Sequence, residues 1–418
     1  YIDYLIIKGN IYFSIGELEN SINIYKDVLE INEKSELAYI NIGNAYVNLS
    51  KPKEGINYLK KAIKLNPKIA SAYTQLGNAY YMLGNKEKAL AYFDEAEKLD
   101  PSLSGALSSK AAAYMDSGNS EEAISALIKA IQKDPYNSNA YVNLGVLLRD
   151  KRLPEEAGKW LKRGITILKS QPYKDKKLAS ALANLGYTYL DLEKYTDMKD
   201  CFEQALKYDE NCSAVAGFLV YAKLFVGDWK NLAHNKKLTL KKISENKNSC
   251  TPFCSFSVTD ELEAQKKVAI NYAKSRAEKI HKGKVYNYKN NYNHTIPRIA
   301  YISNDFHDHA TMHLMAGLFE NQNNENFDYH AISYTKKRDA NPITKRVEKA
   351  IKNFHHVNEF SDEQVAELIN QLEIDIAVDL KGYTYGSRMD ILAHRPAPIQ
   401  ISYLGHPGTT GTKYIDYA

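Results

Sequence analysis

The amino-acid sequence predicts an α-helical superhelix of repeats followed by an α/β lobe of the Rossmann-like type. Repeats are indicated by Gly9, Gly43, Gly77 and Gly145, which lie 34, 34 and 68 residues apart, because a fixed period of this length is typical of stacked helix pairs. After about residue 294, short apolar runs alternate with helical patterns, which favours strand–helix units and a parallel sheet. The predicted regions are a repeat array in 1–232, a helical or linker transition in 233–293 and the α/β lobe in 294–418.

Other positions of the repeat unit keep the same phase. Ala111 fills the gap in the glycine series, and large side chains follow sixteen residues after the marked positions: Tyr25, Leu59, Phe93, Leu127 and Leu161. A small residue facing a large one lets two amphipathic helices approach closely. Turn glycines between the helices are predicted at Gly16, Gly84 and Gly118, and prolines close three consecutive units at Pro67, Pro101 and Pro135.

This pattern resembles the tetratricopeptide repeat. A sixth unit around Gly186 starts 41 residues after the fifth, so residues 171–177 are interpreted as an insertion, and Gly227 with Trp229 indicates a degenerate seventh unit. The resemblance implies a superhelix whose concave groove binds an extended peptide or partner protein.

Amide side chains recur two residues before the phase-marking position of four units: Asn41, Gln75, Asn143 and Asn184. If they face the groove, they can bond the backbone of a bound chain and tolerate many sequences. The alternative interpretation is that they are ordinary exposed helix residues in an Asn-rich protein.

Composition argues against several classes of protein. A net charge of +5 over 418 residues, with both signs interspersed, gives no case for nucleic acid or a membrane surface. A basic, aromatic stretch in the transition leaves RNA binding as a weaker alternative.

No apolar run reaches the roughly 20 residues of a membrane span, and four cysteines are too few for a disulfide framework, so we expect a reducing, cytoplasmic location. Residue 1 falls inside a repeat, so we expect the natural N-terminus to lie upstream.

The α/β lobe has four predicted strands and four predicted helices. The strands are 297–303, 329–334, 374–380 and 399–404; the helices are 312–321, 342–352, 362–371 and 385–393, with a further helix at 259–280 in the transition. Polar, Gly-rich loops follow two strands, at 381–386 and 405–411. Such loops turn backbone N–H groups toward anions, although many are simply turns.

The stretch 305–313 directly follows the first predicted strand and contains three histidines and two aspartates. His309 is the candidate proton acceptor or donor, because an imidazole titrates near neutral pH, and Asp305 is a carboxylate able to orient it. The alternative for His309 alone is an ordinary surface histidine. A metal cluster of His307, His309 and His313 is also conceivable, but we expect no metal.

The same residues match a family. The runs Asp305-Phe306, His309, Thr311, His313-Leu314-Met315, Gly382-Tyr383-Thr384, Arg388, 395–400 (RPAPIQ) and 404–411 (LGHPGTTG) resemble the N-terminal catalytic lobe of the protein O-GlcNAc transferases. Members of that family carry tetratricopeptide repeats upstream. The resemblance implies an inverting glycosyltransferase that moves N-acetylglucosamine from UDP-GlcNAc to Ser or Thr hydroxyls, without a cofactor or catalytic metal.

The resemblance also implies roles for individual residues. His309 matches the family histidine beside the donor sugar and acceptor hydroxyl, which is a base or an orienting group, and Asp305 matches an aspartate argued to take part in proton removal. Residues implied to contact donor or acceptor are Thr311, Tyr383, Arg388, Leu404, Gly405 and Pro407. Asp308 and Ala310 replace an Asn and a Pro of vertebrate members, which affects the expected geometry of this loop. Phe253 and Cys254 lie near where a histidine occurs in some members, which is more typical of the bacterial branch.

In the resembled family a second lobe follows, and it supplies most contacts to uridine and diphosphate. The sequence stops at Ala418, so we expect an incomplete catalytic unit that does not transfer sugar by itself. Two alternatives remain: a glycosyltransferase that uses another nucleotide sugar, and a protein-binding scaffold with a vestigial α/β lobe.

Overall fold

The structure is a computed structural model that describes residues 1–171, 175–212, 215–245, 247–280, 285–288, 292–323, 325–335 and 342–418. The chain divides into two compact units, Tyr1–Cys212 and Ser213–Ala418. Among the helices of the described residues, none combines the length and apolar character needed to cross a bilayer.

The first unit consists of six helix pairs. The first helices of the pairs are α1 (Ile2–Ser14), α3 (Glu36–Asn48), α5 (Ala70–Met82), α7 (Ser104–Asp116), α9 (Ser138–Asp150) and α11 (Asp175–Asp191). The second helices are α2 (Leu18–Ile31), α4 (Pro52–Leu65), α6 (Lys86–Leu99), α8 (Ser120–Lys133), α10 (Pro154–Ser170) and α12 (Tyr195–Tyr208).

Each pair packs at the position that the repeat phase predicts. A Cβ added to Gly43 would lie 2.5 Å from Cγ of Leu59, and one added to Gly77 would lie 2.5 Å from Cε1 of Phe93. Leu59 and Phe93 are fully buried. The missing Cβ therefore lets the two helices of a pair approach until the large side chain rests on the glycine backbone.

The tight turns between paired helices take left-handed backbone conformations. Gly84 and Gly118 have φ of 76° and 78°, as the sequence predicts, but Ser50, Arg152 and Glu193 occupy equivalent turns with φ of 59°, 63° and 55°. The turn geometry is thus set by the helix pair, and residues with a Cβ adopt it at a cost of about 1 kcal/mol.

The predicted insertion lengthens two helices. α2, α4, α6 and α8 have 14 residues, but α10 has 17; α11 has 17 residues where α9 has 13. Of the inserted segment, residues 172–174 lie outside the described residues. The extra residues at the two helix ends amount to about two helical turns.

Among the described residues of the second unit, four helices precede the sheet: α13 (Ala216–Phe225), α14 (Leu232–Ser244), α15 (Pro252–Ser255) and α16 (Leu262–Ile280). α13 and α14 pack together as a helix pair, with Gly227 at φ 68° in the turn between them. This is the degenerate seventh pair, and it groups with the second unit. The predicted boundary near residue 232 stays a prediction.

The rest of the second unit is a parallel sheet with helical connections. Its elements are β1 (Arg298–Ser303), α17 (Ala310–Glu320), β2 (Asp328–Ser333), α18 (Pro342–Ala350), β3 (Asn353–His356), α19 (Asp362–Gln371), β4 (Ile376–Asp379), α20 (Asp390–Ala393) and β5 (Ile399–Ser402). The strand order is β3-β2-β1-β4-β5, and every pairing is parallel.

Both faces of the sheet are covered, because successive side chains of a strand point to opposite sides. Ala300 and Ile302 of β1 contribute to one core, and the intervening Ile299 and Tyr301 pack against the other. α19 completes the first core, whereas α17 and α18 complete the second. The sheet is therefore doubly wound, as the alternating pattern predicts.

The fold differs from the prediction at two elements. β3 was not predicted, because Asn-Phe-His-His is half polar and forms a short edge strand rather than an apolar run. The helix predicted over 385–393 forms only from Asp390, since Gly386 has a φ of 77° that interrupts a helix.

Candidate active site

The candidate site lies where β1 and β4 end. These two strands are neighbours at the centre of the sheet, and the chain leaves them in opposite directions, toward β2 and toward β5. In doubly wound sheets such a switch point opens a crevice at the carboxyl ends of the strands, where ligands bind. Asp305 follows β1, and Lys381 follows β4.

Asp305 and Lys381 form a buried ion pair across the switch point. The Nζ atom of Lys381 lies 2.8 Å from Oδ1 and 3.0 Å from Oδ2 of Asp305. The side chains are 4% and 7% exposed, respectively. Separation of a pair this deeply buried would leave two uncompensated charges away from water, so the pair is expected to keep its geometry.

Asp379, the last residue of β4, is a second buried carboxyl group beside this pair. It accepts the backbone N–H groups of Lys381 at 3.2 Å and Gly382 at 2.5 Å. Burial raises the pKa of Asp379 to about 6, although these N–H groups and the Lys381 charge lower it. Two carboxyl groups and one ammonium therefore form the floor of the site.

His309 caps the N-terminus of α17. Its Nδ1 accepts the backbone N–H of Thr311 at 3.2 Å and lies 3.1 Å from Oγ1 of Thr311. Oδ2 of Asp305 lies 3.5 Å from both Nδ1 of His309 and Oγ1 of Thr311. Because a nitrogen that accepts an N–H carries no proton, the neutral imidazole has its proton on Nε2.

The protonation of His309 depends on its surroundings. Its side chain is 40% exposed, and burial lowers the pKa of His309 from its usual value. The charge of Asp305 raises this pKa, whereas Lys381 and His307 lower it. The ring is therefore neutral at pH 7, with Nε2 available to a ligand as a hydrogen-bond donor.

The loop 404–411 packs against the main chain that carries Lys381. A Cβ on Gly405 would overlap the carbonyl oxygen of Leu380 and would lie 2.6 Å from Cα of Lys381. Leu404 is 46% exposed with φ of 68°, and Pro407 is exposed. Gly405 thus packs against Lys381, which in turn is paired with Asp305. Leu404 and Pro407 are exposed to solvent.

His406 anchors the same loop. Its ring lies between Phe256 and Tyr383, at centroid distances of 5.5 and 5.6 Å, and the absence of a Cβ on Gly382 leaves room for it. Burial lowers the pKa of His406 to about 4, so the ring is neutral. Its Nδ1 is buried with no hydrogen-bond partner among the described residues.

Tyr383 and Arg388 are engaged with the protein itself. The hydroxyl of Tyr383 donates to the carbonyl of Thr410 at 2.8 Å, and burial raises the pKa of Tyr383. Arg388 donates to the carboxylate of Asp362 at 2.6 Å and lies over the ring of Tyr334. They hold the loop after β4 in place, and a contact of either with an acceptor stays a prediction.

The four amides predicted for the groove lie on the first helices of their pairs, α3, α5, α9 and α11, and all are half-buried. Nδ2 of Asn41 donates to Oδ1 of Asn10 at 3.3 Å, and Oε1 of Gln75 accepts from Nδ2 of Asn78 at 3.2 Å. Equivalent positions therefore carry equivalent amides, as the repeat phase predicts. Binding of a peptide by Asn41, Gln75, Asn143 and Asn184 stays a prediction.

Sequence reasoning missed Lys381, Asp379 and His406 as members of the site. Each lies at the end of β4 or in the loop after β5, next to the switch point. The available signal was position: polar residues directly after adjacent central strands meet at one edge of a parallel sheet. The strand order that makes β1 and β4 neighbours was not part of the prediction.

Two kinds of family model match the chain. Residues 226–418 match the model of glycosyl transferase family 41. Tetratricopeptide repeat models match residues 40–104 and 109–172, residues 9–50 and residues 179–212.

Several curated proteins are similar over part of the chain. The probable UDP-N-acetylglucosamine–peptide N-acetylglucosaminyltransferase SEC of Arabidopsis thaliana is 42% identical over 120 residues, or 29% of this chain and 12% of that protein. The UDP-N-acetylglucosamine–peptide N-acetylglucosaminyltransferase of Caenorhabditis elegans is 38% identical over 127 residues, or 29% and 10%. The matches thus span 10 to 12% of the length of these relatives.

A solved structure of a mutant Thermobaculum terrenum O-GlcNAc transferase aligns with 83% of this chain and 52% of that chain, at 19% identity and a TM-score of 0.38. This score is too low to support an argument. The family matches, together with the helix pairs and the five-stranded sheet, confirm the predicted fold class. Residues 226–418 are therefore a region of glycosyl transferase family 41 that follows tetratricopeptide repeats, and these matches support the predicted resemblance to the protein O-GlcNAc transferases.

Proposed function

We propose that the protein transfers N-acetylglucosamine from UDP-GlcNAc to Ser or Thr hydroxyls of proteins that its repeats recruit. The observation that carries this proposal is the joint arrangement of His309, Asp305 and Thr311 at the switch point, inside the segment that matches family 41. The curated relatives named above are described as N-acetylglucosaminyltransferases that act on peptides.

His309 has the chemistry of an orienting group in this reaction. The acceptor oxygen forms a bond to the anomeric carbon as the bond from that carbon to the UDP oxygen breaks, and the hydroxyl proton is released to the departing diphosphate or to water. Nδ1 of His309 is occupied by the N–H of Thr311, so Nε2–H is left to donate to an oxygen of sugar or acceptor. Asp305 is 3% exposed and paired with Lys381, so it acts through its neighbours rather than by contact with the hydroxyl.

We propose that no metal takes part in the reaction. Nε2 of His313 lies 2.7 Å from Oδ1 of Asp308, whereas His309 is bonded to Thr311. Within the described ranges, no group of three or more His, Cys, Asp or Glu side chains is arranged to hold a metal ion. Activity that survives a chelator is the expected result, and loss restored by a divalent metal contradicts this part of the proposal.

The test of the main proposal is transfer to peptide. The full-length protein is expected to label a Ser/Thr-containing peptide from UDP-GlcNAc and not from other nucleotide sugars. Residues 1–418 expressed alone are expected to give no detectable transfer, because the diphosphate leaving group needs further cationic and backbone donors. Transfer by these residues alone contradicts that expectation; labelling from a different sugar favours the other donor.

Recruitment by the repeats has its own test. Alanine at Asn41, Asn143 and Asn184 is expected to raise the KM for protein acceptors about tenfold without changing kcat, since uniform binding is lost. Asn57→Ala is the control, because Asn57 is exposed on a second helix, α4. Equal effects of the two variants overturn the groove assignment. A full-length protein that binds partners but labels none supports the scaffold alternative.

We also propose a cytoplasmic location. Cys201, Cys250 and Cys254 are buried thiols that form no disulfide. Unpaired thiols are typical of a reducing compartment. Fluorescence microscopy of the tagged full-length protein tests this, and a secreted product with paired cysteines is the contrary result.

A further inference from the structure

Lys381 contacts the residues that follow both central strands, β1 and β4. Its backbone N–H donates to Asp379 at the end of β4, and its Nζ reaches both carboxylate oxygens of Asp305 after β1. The backbone of Gly405 rests against its main chain. Main chain and side chain of Lys381 are therefore fixed by different partners.

This contact determines how Asp305 can be oriented. Because Lys381 bonds to both oxygens of the carboxylate, the plane of the carboxylate is set. Oδ2 then faces Oγ1 of Thr311 and Nδ1 of His309, each at 3.5 Å. Without the ammonium, two buried carboxyl groups, Asp305 and Asp379, would remain side by side, and a buried carboxylate without a counter-ion takes up a proton.

Asp305 in turn affects the ring of His309. The link runs through Thr311, whose hydroxyl donates to Oδ2 of Asp305 and whose backbone N–H donates to Nδ1 of His309, so the Nδ1 side of the ring faces the protein and Nε2 faces away from it. The other charged or titratable groups near this ring are His307, whose ring centroid is 5.6 Å away, and the exposed pair of Asp308 and His313. Lys381 is the group that neutralises Asp305.

We infer that Lys381 is a positioning residue of the transfer reaction: it keeps Asp305 ionised and in the orientation that holds Nε2 of His309 toward the ligand. This inference rests on the proposed function. Lys381 touches neither sugar nor acceptor in this scheme, and it acts through Asp305.

The first test uses the 418-residue chain and no substrate. The carboxyl ¹³C resonance of Asp305, assigned by its loss in Asp305→Asn, is expected to be that of a carboxylate at pH 7. In Lys381→Met it is expected to move to the position of a protonated acid, and in Lys381→Arg to stay, since Arg keeps the charge. A resonance unchanged in Lys381→Met overturns the inference, whether or not the protein transfers sugar.

The second test is a double-mutant cycle in the full-length protein with the peptide assay. Lys381→Met is expected to lower kcat about 100-fold, the scale of a misplaced catalytic group, with little change in KM, and Lys381→Arg is expected to recover most of it. In the Asp305→Asn background, Lys381→Met is expected to cost less than threefold more. A further loss of tenfold or more shows that Lys381 does not act through Asp305.

The inference can be tested even if one variant does not fold. If Lys381→Met alone fails to fold, the double variant Asp305→Asn/Lys381→Met removes the unpaired carboxylate. Comparison of its kcat with that of Asp305→Asn still shows whether Lys381 acts through Asp305. A full-length protein with no transfer activity refutes the proposed function and leaves the ¹³C result to stand by itself.

Discussion

The ring of His309 has two roles, the capping of α17 through Nδ1 and the proposed hydrogen bond to a ligand through Nε2. Nδ1 caps α17 by accepting the N–H of Thr311, so the nitrogen that begins the helix is unavailable to a ligand. Because Nδ1 accepts the capping bond, the neutral ring carries its proton on Nε2, and Nε2 therefore donates rather than accepts. At the scale of a residue, local folding and proposed chemistry are therefore linked through a single hydrogen bond.

Substitutions at His309 separate the two tasks. Asn is a good N-cap, so His309→Asn is expected to keep the protection of α17 amides in hydrogen exchange. His309→Ala is expected to lower that protection by about 1 kcal/mol. Both variants are expected to lose peptide transfer in the full-length protein. Transfer by His309→Asn at the wild-type rate contradicts the assigned role.

Asp379 makes stability depend on pH. Its folded pKa of about 6 lies above the ordinary value, so the folded state holds a proton that the unfolded state has released between about pH 4 and 6. The stabilisation is present at low pH and is lost as pH rises through 6, by about 3 kcal/mol. Hydrogen exchange of β1 and β4 peptides, corrected for intrinsic rates, measures it. Asp379→Asn is expected to remove this component, and an unchanged pH dependence refutes the assignment.

At the level of residues, a local motif predicted which side chains lie together, whereas the roles of these residues stay a prediction. His309, Asp305 and Thr311 were found from the sequence and do lie within 3.5 Å of one another. Lys381 was not found, because its role depends on the pairing of β1 with β4, which no local pattern contains. Arg388 matched a motif, yet its guanidinium bonds Asp362, and a motif does not specify the direction of a long side chain.

At the scale of elements, glycine acts in two distinct ways in the repeat array. Within helices such as α3 and α5 it gives room for a large side chain of the partner helix. In turns it adopts a positive φ, and there residues with a Cβ replace it in three repeats. The helix–helix contact therefore constrains the sequence more strictly than the turn does.

This difference predicts opposite effects of the same substitution. Gly77→Ala is expected to destabilise the array by about 1–3 kcal/mol, because the new methyl group overlaps the ring of Phe93. Gly105→Ala, in α7, meets no atom within 4 Å and is expected to stabilise by about 0.5–1 kcal/mol. Urea denaturation of the 418-residue chain compares the two. Equal shifts of the midpoint contradict the packing argument.

The edge strand β3 contains a pH-sensitive contact. Nδ1 of His330 lies 3.2 Å from Nε2 of His355, with the rings stacked, and Nε2 of His330 lies 3.2 Å from Oδ2 of Asp328. Burial lowers the pKa of both histidines, and Arg298 lowers that of His330 further; Asp328 raises that of His330, while His356 lowers that of His355. When both rings are neutral, each carries one proton: Nε2–H of His330 donates to Asp328, and Nδ1 of His330 accepts Nε2–H of His355.

Acid is therefore expected to loosen β3. Because both folded pKa values lie below the ordinary value, the contribution to stability is present above about pH 6.5 and is lost as pH falls below it. Hydrogen exchange of residues 353–356, corrected for intrinsic rates, is expected to increase between pH 7 and 5. His355→Gln, which keeps a donor but does not titrate, is expected to show a smaller increase. An equal increase in both proteins contradicts the assignment.

At the scale of the whole molecule, the chain has two compact units with different sources of stability. Residues 1–212 gain stability from neighbouring helix pairs, whereas the second unit has a sheet with a core on each face. The periodic unit was largely predictable because one contact repeats in sequence. The sheet was predictable as parallel but not in its strand order, since that order arises from long-range pairing.

Each unit is expected to unfold as its own cooperative body. Gly77→Ala is expected to speed hydrogen exchange in several helix pairs of residues 1–212 and to leave β1 and β4 unchanged. Asp379→Asn is expected to act on the second unit alone. Equal acceleration everywhere in the 418-residue chain contradicts two cooperative bodies.

The lengthened helices α10 and α11 have an evolutionary consequence. The three extra residues of α10 and the four of α11 lie at helix ends, so they do not rotate the faces that meet neighbouring pairs, and a Cβ on Gly186 would still overlap the ring of Phe202. Insertions at a helix end are then heritable without repair elsewhere, whereas five residues inserted inside a helix rotate the faces beyond them by roughly 140°. Lineages of such arrays are expected to vary in length at helix ends and by full units elsewhere.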